Sequence, residues 1–267
     1  MTLDMGPALL FCPADRPERF AGALQKADAV ILDLEDAVLP DAKAQARENI
    51  VAADLDPARV IVRVNAPETA EFARDVGALR RTPFRTVMVA KSDDPAAFDA
   101  FGAEFGLIAL CETARGVHRA GEIAAHERVV GLMWGAEDLV ASLGGLSSRF
   151  SDGRYRDVAR AARSQILLAA GAYGRTAVDA VHLDIDDVDG LAAEAADAAA
   201  SGFGATACIH PKQVPVIRDA YRPDHATIAW AEAVLAAAEG ERGVFRFEGR
   251  MIDEPVLRHA RAVIERR

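Results

Sequence analysis

At 267 residues, with 51% hydrophobic and 27% charged side chains, the chain can bury a sizeable core, and long disorder is excluded. Its 31 basic and 41 acidic residues leave a formal charge of -10, which repels phosphate backbones and makes nucleic acid a poor partner. The 20 glycines and 12 prolines exclude a collagen-like or low-complexity chain.

The opening segment, Met1 to Pro7, carries Asp4 and no basic region leading into an apolar stretch, so no secretory leader is expected. Short apolar runs then alternate with helical patterns. The predicted strands are Ala8–Pro13, Ala29–Glu35, Arg59–Asn65, Thr86–Lys91, Gly106–Glu112, Val129–Gly135, Ala177–Asp184 and Gly204–His210. They are continuously apolar, as strands covered on both faces are. Between them run predicted helices at Pro17–Lys26, Asp41–Ala52, Glu68–Arg80, Pro95–Phe105, Arg115–His126, Tyr155–Tyr173 and Val188–Ser201. No run of about 18 apolar residues is present, so no membrane span is expected. Cys12, Cys111 and Cys208 are too few and too dispersed for a disulfide framework or a zinc ribbon, and each sits in a strand-like run. The expectation is a cytoplasmic protein with reduced thiols.

Eight strand–helix repeats imply a parallel sheet in an α/β fold, and at this length its economical closure is a (β/α)₈ TIM barrel. An open doubly wound sheet would carry a Gly-rich turn after the first strand, whereas Cys12-Pro13-Ala14-Asp15-Arg16-Pro17 has no glycine. Beyond a helix at Lys212–Tyr221, a further helix at Asp224–Glu239, the segment Gly240–Gly249 and a terminal helix at Glu254–Arg266 exceed what barrel closure needs. The predicted division is a barrel domain, 1–222, and a C-terminal helical lid extension, 223–267.

In such a barrel the active site lies at the C-terminal ends of the strands, where polar residues cluster in this sequence. The second strand ends in Asp33, Glu35 and Asp36, the third in Asn65, the fourth in Lys91 and the fifth in Glu112. Glu137 and Asp138 follow the sixth, Asp184 and Asp186 the seventh, and His210 the eighth. Crowded carboxylates raise one another's pKa unless a cation neutralises them, and oxygen donors without a Cys/His set favour a hard ion such as Mg²⁺. Glu112 and Asp138, on adjacent strands, are the candidate metal pair; the alternative for Asp138 is a cap on a helix starting near Leu139. Arg63, inside an apolar strand, is either a bidentate contact for a substrate carboxylate or an ion pair with Asp33 or Glu35. Arg16, Arg19, Lys26, Lys43 and Arg47 form a basic group fitted to an anionic ligand arm, with a solvated helix face the alternative for Arg47. Of six histidines only His182 and His210 fall near the mouth, as a hydrogen-bonded core residue and a loop-orienting residue. Trp134 reads as barrel packing and Trp230 as a subunit contact.

Several segments resemble, in order, the citrate lyase β-subunit-like group of the HpcH/HpaI aldolase superfamily. They are Leu10-Phe11-Cys12-Pro13-Ala14-Asp15-Arg16-Pro17-Glu18-Arg19-Phe20, Asp33-Leu34-Glu35-Asp36-Ala37-Val38 and Arg63-Val64-Asn65. Glu112-Thr113-Ala114-Arg115-Gly116, Gly135-Ala136-Glu137-Asp138-Leu139, Cys208-Ile209-His210-Pro211 and Phe247-Glu248-Gly249-Arg250-Met251-Ile252-Asp253 continue the match. The chain is most similar to the stand-alone actinobacterial type, related to malyl-CoA and citramalyl-CoA lyases.

The resemblance implies a Mg²⁺-dependent lyase cleaving a β-hydroxyacyl-CoA into acetyl-CoA, or a homologue, and a 2-oxo acid. It carries the metal onto Glu112 and Asp138, the oxo-acid contact onto Arg63, a catalytic aspartate of the lid onto Asp253 and the CoA phosphates onto basic residues such as Arg16 and Lys26. Glu35 and Asp36 are further candidate catalytic acids. It also implies a homotrimer, or dimer of trimers, in which one subunit's lid closes over the next subunit's mouth. A component of a multi-subunit citrate lyase, using an acyl-carrier-protein substrate, is not marked in the sequence. The competing readings are a malyl-CoA thioesterase, an aldolase acting on free 2-oxo acids without CoA, and a non-catalytic binding barrel.

Overall fold

The structure is a computed structural model that describes residues 3–241 and 243–266. It comprises two compact units, residues 1–217 and 218–267. In the first, the chain runs β1 (Ala8–Pro13), α1 (Phe20–Lys26), β2 (Ala29–Asp33), α2 (Lys43–Val51), β3 (Val60–Val64), α3 (Ala70–Leu79), β4 (Thr86–Val89) and β5 (Gly106–Cys111). It continues through α4 (Ala114–His118), α5 (Ala120–Ala125), β6 (Val129–Trp134), α6 (Ala136–Ser142), α7 (Asp157–Ala172), β7 (Thr176–Asp179), α8 (Val188–Ser201) and β8 (Ala205–Cys208). α9 (Gln213–Tyr221) crosses the division between the units.

β1 to β8 form a closed barrel in sequence order, every pair parallel. The predicted (β/α)₈ architecture is therefore the observed one. Alternate residues fill its interior: Leu9 from β1, Ala29 and Ile31 from β2, Ile61 from β3, Met88 from β4, and Ile108 and Leu110 from β5 form one buried cluster with Met133, Val178 and Ala207. The intervening residues, such as Leu10, Val30, Val62 and Val87, are equally buried, now under the surrounding helices. Two-sided burial is why the strands read as unbroken apolar runs.

Several expected elements differ. The single helix expected over Arg115–His126 is two, α4 and α5, divided at Arg119, and the fourth strand ends at Val89 instead of Lys91. The helix expected over Pro95–Phe105 is a 3₁₀ turn at Pro95–Ala100, capped by the Asp94 side chain. The seventh strand stops at Asp179 instead of reaching Asp184, and there the Asp179 carboxylate accepts the next backbone N–H, of Ala180, at 3.0 Å. Asp184 and Asp186 consequently lie in the following loop.

The second unit has a core of its own. α10 (His225–Ala238), a two-stranded antiparallel hairpin of β9 (Phe245–Phe247) and β10 (Arg250–Ile252), and α11 (Glu254–Glu265) bury Ala231, Val234, Ile252, Ala260 and Val263. β9 lies within the segment Gly240–Gly249 and β10 between it and the terminal helix, where no strand is expected from the sequence. All three cysteines are buried and free. No helix among the described residues is long and apolar enough to cross a membrane.

Candidate active site

The interior parity of the strands builds the site. Ile31 points into the barrel, so Asp33 does as well; Ile61 leads in the same way to Arg63, and Leu110 to Glu112. On the opposite wall the same parity takes Met133 to Gly135 and Val178 to Ala180, which are small. The room they leave is a cavity of about 200 Å³ whose lining includes Phe11, Asp36, Arg63, Glu112, Asp138 and Ala180.

Asp33 and Arg63 are paired across β2 and β3. Arg63 donates from Nε and Nη2 to the two Asp33 carboxylate oxygens, each at 2.7 Å. Asp33 is itself fixed, accepting backbone N–H bonds from Glu35 at 2.9 Å and Ala37 at 3.1 Å. Arg63 Nη1 lies 3.2 Å from Glu35 Oε2, and the guanidinium sits 4.8 Å from the Phe11 ring centroid. The ion pair is thus present, and it holds the guanidinium at the cavity wall. Burial opposes this charge, but Asp33 and Glu35 outweigh it and hold the pKa above the ordinary arginine value.

Glu112 follows Cys111, the register partner of Trp134, and so comes to rest beside Gly135. It is buried, and its Oε1 accepts the backbone N–H of Lys91 at 3.1 Å. Burial, followed by the charge of Asp138, pushes its pKa up to about 8. α6 begins at Ala136 with Gly135 as its N-cap and no side-chain cap, so Asp138 stands in the first turn and is not the cap. Its Oδ1 lies 3.5 Å from Lys91 Nζ. Lys91 also hydrogen-bonds Glu35 and approaches Asp36 Oδ2 at 3.4 Å. For Glu35, burial lifts the pKa, outweighing Arg63 and Lys91.

The mouth therefore gathers Arg63, Glu35, Asp36, Glu112 and Asp138, together with Lys91, which sequence reasoning had noted only as a strand-end charge. Among the described residues no three His, Cys, Asp or Glu side chains form a metal cage. The donor set that is present, two neighbouring carboxylates of which Glu112 is buried, suits a hard ion that takes only one or two protein ligands and keeps waters.

The basic group expected beside the mouth is dispersed. Arg16 follows β1 at the mouth end, with a side chain 54% exposed and 3.6 Å from Asp15. Lys26 ends α1 just before β2 begins, which puts it at the opposite end of the barrel from the mouth. Lys43 Nζ bonds the carbonyls of Leu34 and Glu35, each at 2.7 Å, and Asn65 Oδ1 at 2.8 Å. Arg47 meets Glu71 at 2.6 Å and buried Asp75 at 3.1 Å. Lys43 braces the loop after β2 and Arg47 ties α2 to α3, so neither side chain is free to meet an anionic ligand arm, and Arg47 is not on a solvated face.

A second polar network lies on β7 and α8. Trp134 Nε1 donates to Asp179 at 2.6 Å, and Arg163 bonds the same carboxylate at 2.8 Å through Nη2. His182 is buried, with Nδ1 2.8 Å from Glu194; its Nε2 is 3.2 Å from Asp187 at an angle that makes no hydrogen bond. His210 orients its loop by accepting the Lys212 N–H at 3.2 Å. In the second unit, the Asp253 carboxylate caps α11, accepting the Val256 N–H at 3.3 Å, and Trp230 packs at a tilt against His259 with centroids 5.6 Å apart.

A family model described as HpcH/HpaI aldolase/citrate lyase matches residues 8–211. A citrate lyase subunit beta-like protein of Mycobacterium tuberculosis (strain ATCC 25618 / H37Rv) is 59% identical over 261 residues, covering 98% of this chain and 95% of that one. A (3S)-malyl-CoA thioesterase of Cereibacter sphaeroides is 35% identical over 262 residues, covering 92% of this chain and 89% of that one. The crystal structure of the CitE protein from Mycobacterium tuberculosis, in complex with magnesium, acetoacetate and coenzyme A, superposes with a TM-score of 0.93 at 58% identity. That match covers 99% of this chain and 98% of the other.

Proposed function

The chain belongs to the HpcH/HpaI aldolase/citrate lyase family, and from that premise we propose that it is a Mg²⁺-dependent carbon–carbon lyase. Its substrate is a β-hydroxyacyl-CoA of the malyl or citramalyl type, cleaved to acetyl-CoA or a homologue and a 2-oxo acid. The observation that carries the reading is one cavity with an aligned guanidinium, Arg63, and two carboxylates, Glu112 and Asp138, in its lining. A relative crystallised with magnesium, acetoacetate and coenzyme A supports it.

Glu112 and Asp138 would hold the ion, which when bound supplies a Lewis acid for the substrate's carboxylate and hydroxyl oxygens. Arg63, held by Asp33, binds the carboxylate that leaves with the 2-oxo acid. Asp253 takes the hydroxyl proton as the hydroxyl oxygen becomes the ketone. The electron pair of the breaking C–C bond passes to the thioester as an enolate. The proton on Asp253 then returns to that carbon, giving acetyl-CoA and closing the proton count. Glu35 and Asp36 hold the Lys91 ammonium at the rim.

In this reading the barrel, 1–222, is the catalytic domain and 223–267 is a lid. Asp253 is supplied by a neighbouring copy in a homotrimer or dimer of trimers. Arg16, exposed at the mouth end, meets the CoA phosphates. Three buried free thiols fit a reducing cytoplasm.

Incubation with a panel of β-hydroxyacyl-CoA thioesters and Mg²⁺, scored for 2-oxo acid and for free thiol, tests the proposal. A lyase yields 2-oxo acid and intact acetyl-CoA. Free thiol with the hydroxy acid left whole identifies the second reading, hydrolysis, which the malyl-CoA thioesterase relative favours. Neither product from any thioester overturns both.

A further inference from the structure

Lys91 is one of two non-glycine residues among those described with a positive φ, at 48°, a left-handed conformation that L side chains adopt at a cost. That backbone turn lets one residue touch both carboxylates assigned to the metal. Its N–H donates to Glu112 Oε1 at 3.1 Å, and its Nζ lies 3.5 Å from Asp138 Oδ1. The same ammonium hydrogen-bonds Glu35 and stands 3.4 Å from Asp36. Its side chain is only 30% exposed, and it is the single ammonium among the charged groups that meet Asp138 in the described residues.

We propose that Lys91 is the resident cation of the mouth, an internal counter-ion that a divalent metal displaces from Asp138. The inference rests on the assignment of Glu112 and Asp138 as metal ligands. In the metal-free protein the ammonium neutralises Asp138, which would otherwise repel Asp36 and the buried Glu112 and Glu35. When the metal arrives, Nζ gives up Asp138 and keeps Glu35, while the Lys91 N–H goes on orienting Glu112. Lys91 is thus a positioning residue that lowers metal affinity by competition and keeps the empty acidic mouth folded.

Magnesium titration calorimetry on the full chain tests this without an activity assay, alongside thermal unfolding in EDTA and in Mg²⁺. The Lys91→Met variant keeps the backbone N–H and removes the competing charge. It should bind Mg²⁺ about tenfold more tightly or better, and should melt below wild type in EDTA with the deficit reduced in Mg²⁺. Lys91→Arg, which restores a cation, should return both readings toward wild type. Should Lys91→Met fail to fold in EDTA, Lys91→Gln titrated from a Mg²⁺-refolded sample gives the same comparison. Wild-type or weaker Mg²⁺ affinity in the Met or Gln variant overturns the proposal while leaving the metal site standing. Wild-type affinity in Asp138→Asn takes down the metal assignment itself, and this inference with it.

Discussion

Asp33 and Arg63 face each other across two neighbouring barrel strands and form a two-point pair, both contacts 2.7 Å, at the boundary between the apolar filling and the mouth. Asp33 is 1% exposed, so its charge is affordable only because Arg63 and two backbone N–H groups satisfy it. Asp33→Ala leaves a buried guanidinium without its partner and should cost about 3–5 kcal/mol in denaturant unfolding. In whatever folds, the guanidinium loses its alignment, and kcat/KM should fall by about 100-fold or more. An unfolding midpoint and a turnover both near wild type would show that the pair neither stabilises nor aligns.

Gly135 is required by Glu112. A Cβ at residue 135 would lie 2.9 Å from Glu112 Oε2 and 3.0 Å from its Cβ. Gly135→Ala should therefore push the Glu112 carboxylate aside and weaken Mg²⁺ binding by about tenfold, with a stability loss in the range of about 1–3 kcal/mol typical of overpacking. Calorimetric titration of the variant checks it; unaltered metal affinity would mean that Glu112 does not need that space.

Asp253 has a structural duty as well as the proposed chemical one, because it caps α11. Asn is as good an N-cap as Asp but cannot take a proton. Asp253→Asn should leave the melting temperature within about 2 °C of wild type while lowering kcat by at least about 100-fold, with Mg²⁺ affinity unchanged. Full turnover in this variant would remove Asp253 from the mechanism.

The hydrogen bond to Glu194 raises the pKa of His182 above its ordinary value, outweighing burial. The folded state therefore favours the protonated ring. The associated stability is present in full below about pH 6.5 and is lost as pH rises through the raised folded value. Unfolding curves of His182→Gln should be less steeply dependent on pH than wild type above about pH 6.5. Parallel slopes would show that His182 does not titrate differently in the folded chain.

The barrel and most of its mouth were legible because one rule governs both. Alternation along each strand places Asp33, Arg63 and Glu112 above Ile31, Ile61 and Leu110, so the apolar run and its polar end were read together. Lys91 escaped that rule: β4 ends at Val89, and the positive φ two residues later turns the chain out of strand parity. Lys43 and Arg47 looked like a ligand-facing group because sequence shows charge but not the carbonyls of Leu34 and Glu35, or the buried Asp75, that those charges satisfy. Lys26 was misjudged for a topological reason, since a helix that starts at the mouth ends at the far side of the barrel. The β9–β10 hairpin has three residues per strand, too short for alternation to stand out from a loop.

The central claim is that Glu112 and Asp138 together grip a divalent ion. Its most direct test is a crystal soaked with Mn²⁺ and pyruvate, read by anomalous scattering. The account predicts one strong peak at about 2.1 Å from a carboxylate oxygen of each residue, with pyruvate completing the coordination. A peak elsewhere, or no peak with both side chains still turned toward Lys91, would contradict it.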